Sequence, residues 1–182
     1  EEFKRDVYGL TNINLDMYKE RQMKRRIEAL IDRKGFDGYE SFYKGMKQDE
    51  ILLRTFVSYL TINVSQFYRN PNQWENFEKE IIPYLVKNYG ERFNIWSAAC
   101  STGDEPYTIA MILSKYIPMN KINIIATDID EDVLNFAREG IYPEKSLVDL
   151  PEEYIKKHFA PVDETCYKIH DDIKKCVSFR KH

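Results

Sequence analysis

The residues best suited to chemistry stand together in one run, Asn94-Ile-Trp-Ser-Ala-Ala-Cys-Ser-Thr-Gly-Asp-Glu-Pro-Tyr107. Phe93, Ile95 and Trp96 are bulky strand formers, whereas Ser97 to Gly103 carries no large side chain, so its backbone N–H groups can approach a ligand closely. Asp104, Glu105 and Pro106 suit the first turn of a helix, where acids and proline are favoured, and Ile109, Ile112 and Leu113 continue it as an apolar stripe. Further on, Ile122 to Ala126 reads as a second apolar strand ending in Thr127-Asp128-Ile129-Asp130. Strand, small-residue loop, helix, then a strand ending in an acid is the plan of a nucleoside-binding α/β site, the acid accepting hydrogen bonds from ribose hydroxyls. An ordinary βαβ unit without a ligand fits the same pattern.

The elements that must position this run divide the chain in two. Residues 1–70 read as helices with short Gly-marked turns: Leu15–Lys34, ended by Gly35, then Tyr39–Lys47 and Glu50–Leu60, with Phe42, Met46, Leu52, Leu53, Phe56 and Leu60 as packing residues. Residues 71–182 open with a helix over Trp74–Asn88, which Pro83 can kink, and continue through the strand–loop–helix unit to a short helix, Asp132–Arg138, stopped by Gly140. A chain of 182 residues suits one medium domain, or a small one beside part of a larger one.

Composition excludes more than it selects. With 43% hydrophobic and 31% charged residues and a net charge of −3, the chain as a whole gives no case for nucleic acid. No apolar run approaches a membrane span and no signal peptide opens the sequence. Cys100, Cys166 and Cys176 are an odd number without framework spacing, which points to reduced thiols and a cytoplasmic setting. His158, His170 and His182 lack metal-ligand spacing, so no metal site is expected and all three read as surface residues.

Two further segments hold candidate groups. Thr61 to Pro71 alternates polar and apolar residues; if extended, Asn63, Ser65 and Arg69 share one face, and an Arg there can hold a carboxylate through two parallel bonds. A linker with capping polar groups is the alternative. The stretch Lys19–Lys34 holds seven basic residues against three acids, with Arg21, Lys24 and Arg25 opposite the stripe of Met23, Ile27, Leu30 and Ile31, and Arg26 at its edge. Taken alone, that is a solvated face with i,i+4 and i,i+3 pairs to Glu28.

Thr61-x-Asn63-x-Ser65-x-Phe67-Tyr68-Arg69, Trp96-Ser-Ala-Ala-Cys-Ser-Thr-Gly-Asp-Glu-Pro-Tyr107, Ala126-Thr-Asp-Ile-Asp130 and Gly140-Ile-Tyr142 together resemble the chemotaxis receptor methyltransferases of the CheR family. The resemblance runs from about Leu15 to His182. It implies an all-helical N-terminal domain followed by a Rossmann-like methyltransferase domain with a small antiparallel β insert at about 154–179. It further implies that S-adenosylmethionine (SAM) methylates glutamate side chains on the cytoplasmic helices of chemoreceptors, leaving S-adenosylhomocysteine. Carried over, Asn63, Ser65, Arg69, Ala98, Glu105 and Asp128 would bind SAM, with Arg69 also orienting the reactants. The basic face of Arg21, Lys24, Arg25 and Arg26 would dock the receptor. Asp104 stands where the family often has Glu, and Ser65 where many members have Thr. The turn Pro161-Val-Asp-Glu-Thr165 lacks the Gly-x-Gly of members that bind a receptor C-terminal pentapeptide, so the resemblance implies pentapeptide independence. Cys176–His182 is similar to the strand that precedes the family's Asn-Leu and Cys-Arg-Asn motifs, so the sheet is expected to be incomplete. A module that senses SAM without transferring its methyl, and a methyltransferase with another acceptor, are the competing readings.

Overall fold

A computed structural model describes residues 2–60 and 65–182, which form two compact units, Glu1–Ile62 and Asn63–His182. The expected division at residue 70 lies later than this one, because Phe67 and Tyr68 are buried in the core of the second unit and the Phe67 N–H bonds the Ser146 carbonyl.

The first unit is helical: α1 (Glu2–Thr11), a 3₁₀ turn (Leu15–Met17), α2 (Glu20–Arg33), α3 (Tyr39–Gln48) and α4 (Glu50–Leu60). The single helix expected over Leu15–Lys34 is two elements. Asn14 caps the 3₁₀ turn by accepting from the Asp16 N–H at 2.9 Å, and Tyr18 and Lys19 then run extended before α2 begins. Val7, Leu30, Phe42, Met46, Phe56 and Leu60 are fully or almost fully buried and form the core, with the Phe42 and Phe56 rings edge-to-face at 5.6 Å. Gly45, inside α3, leaves room for the Phe36 ring, which would stand 2.7 Å from a Cβ at that position.

The second unit begins with α5 (Pro71–Asn76), a π-helical turn (Phe77–Ile81) and α6 (Ile82–Tyr89). Proline supplies no N–H and crowds the carbonyl four residues back; the wider turn, closed by the Ile82 N–H on the Phe77 carbonyl, leads the chain into Pro83. Then follow β1 (Asn94–Ala98), α7 (Asp104–Leu113), β2 (Asn123–Asp128), α8 (Glu131–Glu139), β3 (Ile141–Pro143), α9 (Glu152–His158), β4 (Phe159–Pro161), β5 (Cys166–Ile169), α10 (Asp171–Lys174) and β6 (Val177–Lys181). The strands β1, β2 and β6 form a parallel sheet in that order, with Trp96 opposite Ile125 and Ile125 opposite Ser178. α7 and α8 pack against β2 and β6. The side chains of Ile124, Ala126 and Val177 are buried on one face, whereas Trp96 and Ser178 lie exposed on the other.

A second, antiparallel sheet has the order β3-β5-β4. The β insert is therefore present but displaced from the expected 154–179. It begins at Ile141, and its last strand ends at Ile169; Phe179 belongs to the parallel sheet, where it faces Ala126. The turn between β4 and β5 needs no glycine, because the Asp163 carboxylate accepts from the N–H groups of Thr165 and Cys166 at 2.7 and 2.8 Å. These bonds, led by the Thr165 amide, hold its pKa below the usual carboxylate value.

Candidate functional site

The loop from β1 to α7 is built at the ends of parallel strands, where α/β sheets open a crevice. Ala99, Ser101 and Gly103 all have positive φ, at 56°, 49° and 86°. Such values are uncommon for residues with a Cβ and persist only where neighbours impose them. The Ser101 N–H donates to Asp128 Oδ2 at 2.8 Å, the Cys100 N–H to the Thr127 carbonyl at 2.9 Å, and the Tyr142 hydroxyl to the Thr102 carbonyl at 2.7 Å. Gly103 is required twice over. Besides its φ, a Cβ there would stand 2.9 Å from Ala137 Cβ and 3.1 Å from the Phe179 ring.

The acids around this loop have distinct surroundings. Asp128 is 8% exposed at the end of β2 and also accepts from the Asp130 N–H at 3.0 Å, so each of its oxygens holds one backbone bond and keeps a second lone pair. Glu105 is exposed on α7 and accepts from the buried Ser97 hydroxyl at 2.7 Å. Asp104 is only 1% exposed and accepts from the Thr102 and Ser65 hydroxyls. Burial raises its pKa, opposed by those two bonds. Cys100 is no nucleophile here: burial foremost, and then the Asp128 charge, push its thiol up to about 12.

The structure gathers Ser65, Ala98, Glu105 and Asp128 around one loop; Ala98 itself is exposed at the tip of β1. Asn63 lies outside the described residues. Arg69 is exposed, and its carbonyl accepts from the Trp74 indole at 2.9 Å. The uninterrupted extended segment that would align it with Ser65 does not form, since Tyr68 has φ of 58° and Asn70 of 62°. Sequence reasoning quoted Thr102 and Tyr142 only within motifs, without a role, and read Asp104 as a first-turn acid standing where the family often has Glu. The Asp104–Thr108 spacing, one helical turn, was the available signal, and the Thr108 hydroxyl does bond the Asp104 carbonyl at 2.7 Å. His158 is buried at 2% exposure rather than at the surface, because α9 stacks it on the Tyr154 ring. Among the described residues no cluster of His, Cys, Asp and Glu could hold a metal, and no helix is long and apolar enough to cross a membrane.

Residues 63–182 match the CheR methyltransferase SAM binding domain, and residues 1–61 match the CheR methyltransferase all-alpha domain. The chain belongs to the CheR family. It is similar to chemotaxis protein methyltransferases of Listeria innocua (37% identity over 99% of this chain and 68% of the relative), Listeria monocytogenes (38%, over 99% and 68%) and Borreliella burgdorferi (33%, over 96% and 65%). The small-residue loop, with its exposed Ala98 and the carboxylates of Asp128 and Glu105, lies within the part of the chain that matches the SAM binding domain.

The basic face lies on the all-alpha CheR domain. Arg21, Lys24 and Arg25 are exposed on α2, and Lys24 borders an open cavity of about 770 Å³ whose lining includes Met23, Ile27 and Tyr43. Arg26 differs from them. Its guanidinium donates to the Tyr59 carbonyl and lies 4.7 Å from the centre of the Tyr59 ring, which Arg33 also approaches at 4.9 Å. Arg26 is thereby committed to α4 of its own unit.

Proposed function

We propose that this CheR-family chain serves SAM-dependent O-methylation of glutamate side chains on the cytoplasmic helices of chemoreceptors. The observation that carries the reading is the pinned loop, in which Ser101 bonds Asp128 and Ser97 bonds Glu105 within the domain matched to SAM binding. Bound SAM supplies an electrophilic methyl on a sulfonium. On the protein side, Asp128 would accept from ribose hydroxyls, Ser65 and Asn63 would line the cofactor, and Ala98 would let it lie close to the strand end. Glu105 would complete this wall, and Arg69 would orient the cofactor or the acceptor carboxylate. A glutamate acceptor with an ordinary pKa of about 4.3 is ionised at neutral pH, so no general base is needed. A protonated Cys100 and a buried, neutral His158 fit that economy. Alignment and exclusion of water then supply the rate.

Arg21, Lys24 and Arg25 would meet the acidic receptor helix, and their charge would favour unmethylated over methylated glutamates. The glycine-free turn at Asp163 supports pentapeptide-independent recognition, and the setting would be cytoplasmic. Calorimetric titration with SAM and with S-adenosylhomocysteine, followed by receptor labelling from methyl-labelled SAM, tests the reading. Micromolar binding and base-labile label on receptor glutamates are expected. Binding without label favours a SAM-sensing module, and no binding by either ligand overturns the assignment.

A further inference from the structure

Asp104 sits at the first position of α7 yet faces inward, almost completely buried, with no ion pair to it among the described residues. A buried carboxylate without a cation is costly to a fold, so the groups that satisfy it matter. They are two hydroxyls from different parts of the second unit: Thr102 in the loop and Ser65 in the segment that precedes α5. Its own helix supplies the rest, through the Asp104 amide and the favourable field at the start of α7.

The attachments around this carboxylate form a closed set. Thr102 is held at both ends, its hydroxyl by Asp104 and its carbonyl by the Tyr142 hydroxyl at 2.7 Å. The neighbouring Ser101 amide is fixed on Asp128. Ser65 is fixed by Asp104, and three residues later the Tyr68 N–H reaches Thr108 Oγ1 at 3.4 Å, the same hydroxyl that bonds the Asp104 carbonyl. The segment 65–68 and the loop 98–103 are thus tied to one turn of α7 by the two ends of a single residue, side chain and carbonyl.

We infer that Asp104 is the positioning residue of the cofactor site, holding the Ser65 hydroxyl and the left-handed loop in one arrangement before any ligand arrives. This rests on the SAM-binding reading proposed above. It assigns Asp104 no contact with the cofactor; its action passes through Ser65 and Thr102. Preorganisation of this kind lowers the ordering cost of binding, so its loss weakens affinity without removing a contact.

A double-mutant cycle on the full chain tests it, with SAM affinity by calorimetry and urea midpoints measured together. Asp104→Asn is expected to raise the SAM dissociation constant about tenfold, and Thr102→Val about fivefold, while the double variant is no weaker than Asp104→Asn alone, since both remove the same restraint. Asp104→Glu, which keeps the carboxylate, stays within about threefold of the wild type. A purely structural role would shift the midpoints of all variants and leave the affinity of the folded protein unchanged, which overturns the inference, as do strictly additive effects. Should Asp104→Asn fail to fold, Thr102→Val decides alone: unchanged affinity overturns the inference and weakened affinity supports it. Absence of SAM binding by the wild-type chain would instead strike the underlying functional reading.

Discussion

The loop before α7 and the exposed face of α2 both concentrate polar groups, but they hold them in opposite ways. In the loop, Ser97, Thr102, Asp104 and Asp128 are bonded to protein partners, and three residues accept positive φ to make this possible. On α2, Arg21, Lys24 and Arg25 stand in solvent, Lys24 forming a long pair with Glu28 at 4.0 Å. Exposed pairs of that kind contribute little to stability. A ligand whose shape is fixed is best met by groups that are fixed beforehand. An acidic helix arriving from solution is steered by charges that remain free to adjust. Changes in the loop should therefore register as stability and cofactor affinity together, and changes on α2 as partner recognition alone.

The largest expected effect breaks the loop. Gly103→Val places a β-branched side chain at φ of 86° and a Cβ 2.9 Å from that of Ala137. Neither can relax without moving α8 or the turn itself, so a loss of roughly 3 kcal/mol or more is expected, with SAM affinity falling alongside. Urea denaturation read by tryptophan fluorescence checks the first part and calorimetry the second. An unchanged midpoint would show that the loop is looser than its bonds imply.

Charge reversal on α2 comes next and should separate the two regions cleanly. Arg21→Glu with Arg25→Glu is expected to leave the urea midpoint within about 0.5 kcal/mol and SAM affinity unaltered, while receptor methylation falls at least about tenfold and the wild-type rate declines with added salt. Arg26→Ala is the contrasting control. It removes the bond to the Tyr59 carbonyl and the ring contact, so about 1 kcal/mol of stability should go with it. Methylation that survives the double reversal at physiological salt would take α2 out of the recognition surface.

How much of this was legible beforehand depended on how local each signal is. The sequence reading of α4 coincides with Glu50–Leu60, and β1, the loop and α7 were readable because bulky strand formers give way abruptly to small residues and then to Asp-Glu-Pro. Asp130 caps α8 and Gly140 ends it in the left-handed conformation, both by side-chain chemistry visible in sequence. Partners distant along the chain were not visible. The resemblance placed a strand of the main sheet at Cys176–His182, where β6 pairs with β2. The end of the insert was set too late, at Phe179, because Val177 and Phe179 suit either sheet and only their pairing with Ile124 and Ala126 separates the two. Arg26 sat at the edge of the apolar stripe, but its commitment depends on Tyr59, a residue of another helix. The role of Asp104 likewise required Ser65 and Tyr142 to converge from separate elements.

The smallest predicted effect concerns His158, whose position extends the contrast between fixed and free polar groups into the core. It is buried against Tyr154, its Nε2 has no bonding partner among the described residues, and its pKa is lowered from 6.5 to about 4, mainly by burial and then by electrostatic interaction with Lys157, His170 and Lys115. Between those values the unfolded chain binds a proton that the folded chain excludes. The contribution is therefore fully present above about pH 6.5 and is lost as the pH falls toward 4, reaching about 1 kcal/mol by pH 5.5. His158→Phe keeps a ring on Tyr154 and removes the titration. Its stability relative to the wild type should accordingly rise by about 1 kcal/mol between pH 7.5 and 5.5, as read from paired urea midpoints. Parallel pH profiles for the wild type and His158→Phe would mean that the imidazole is already reached by water in the folded protein.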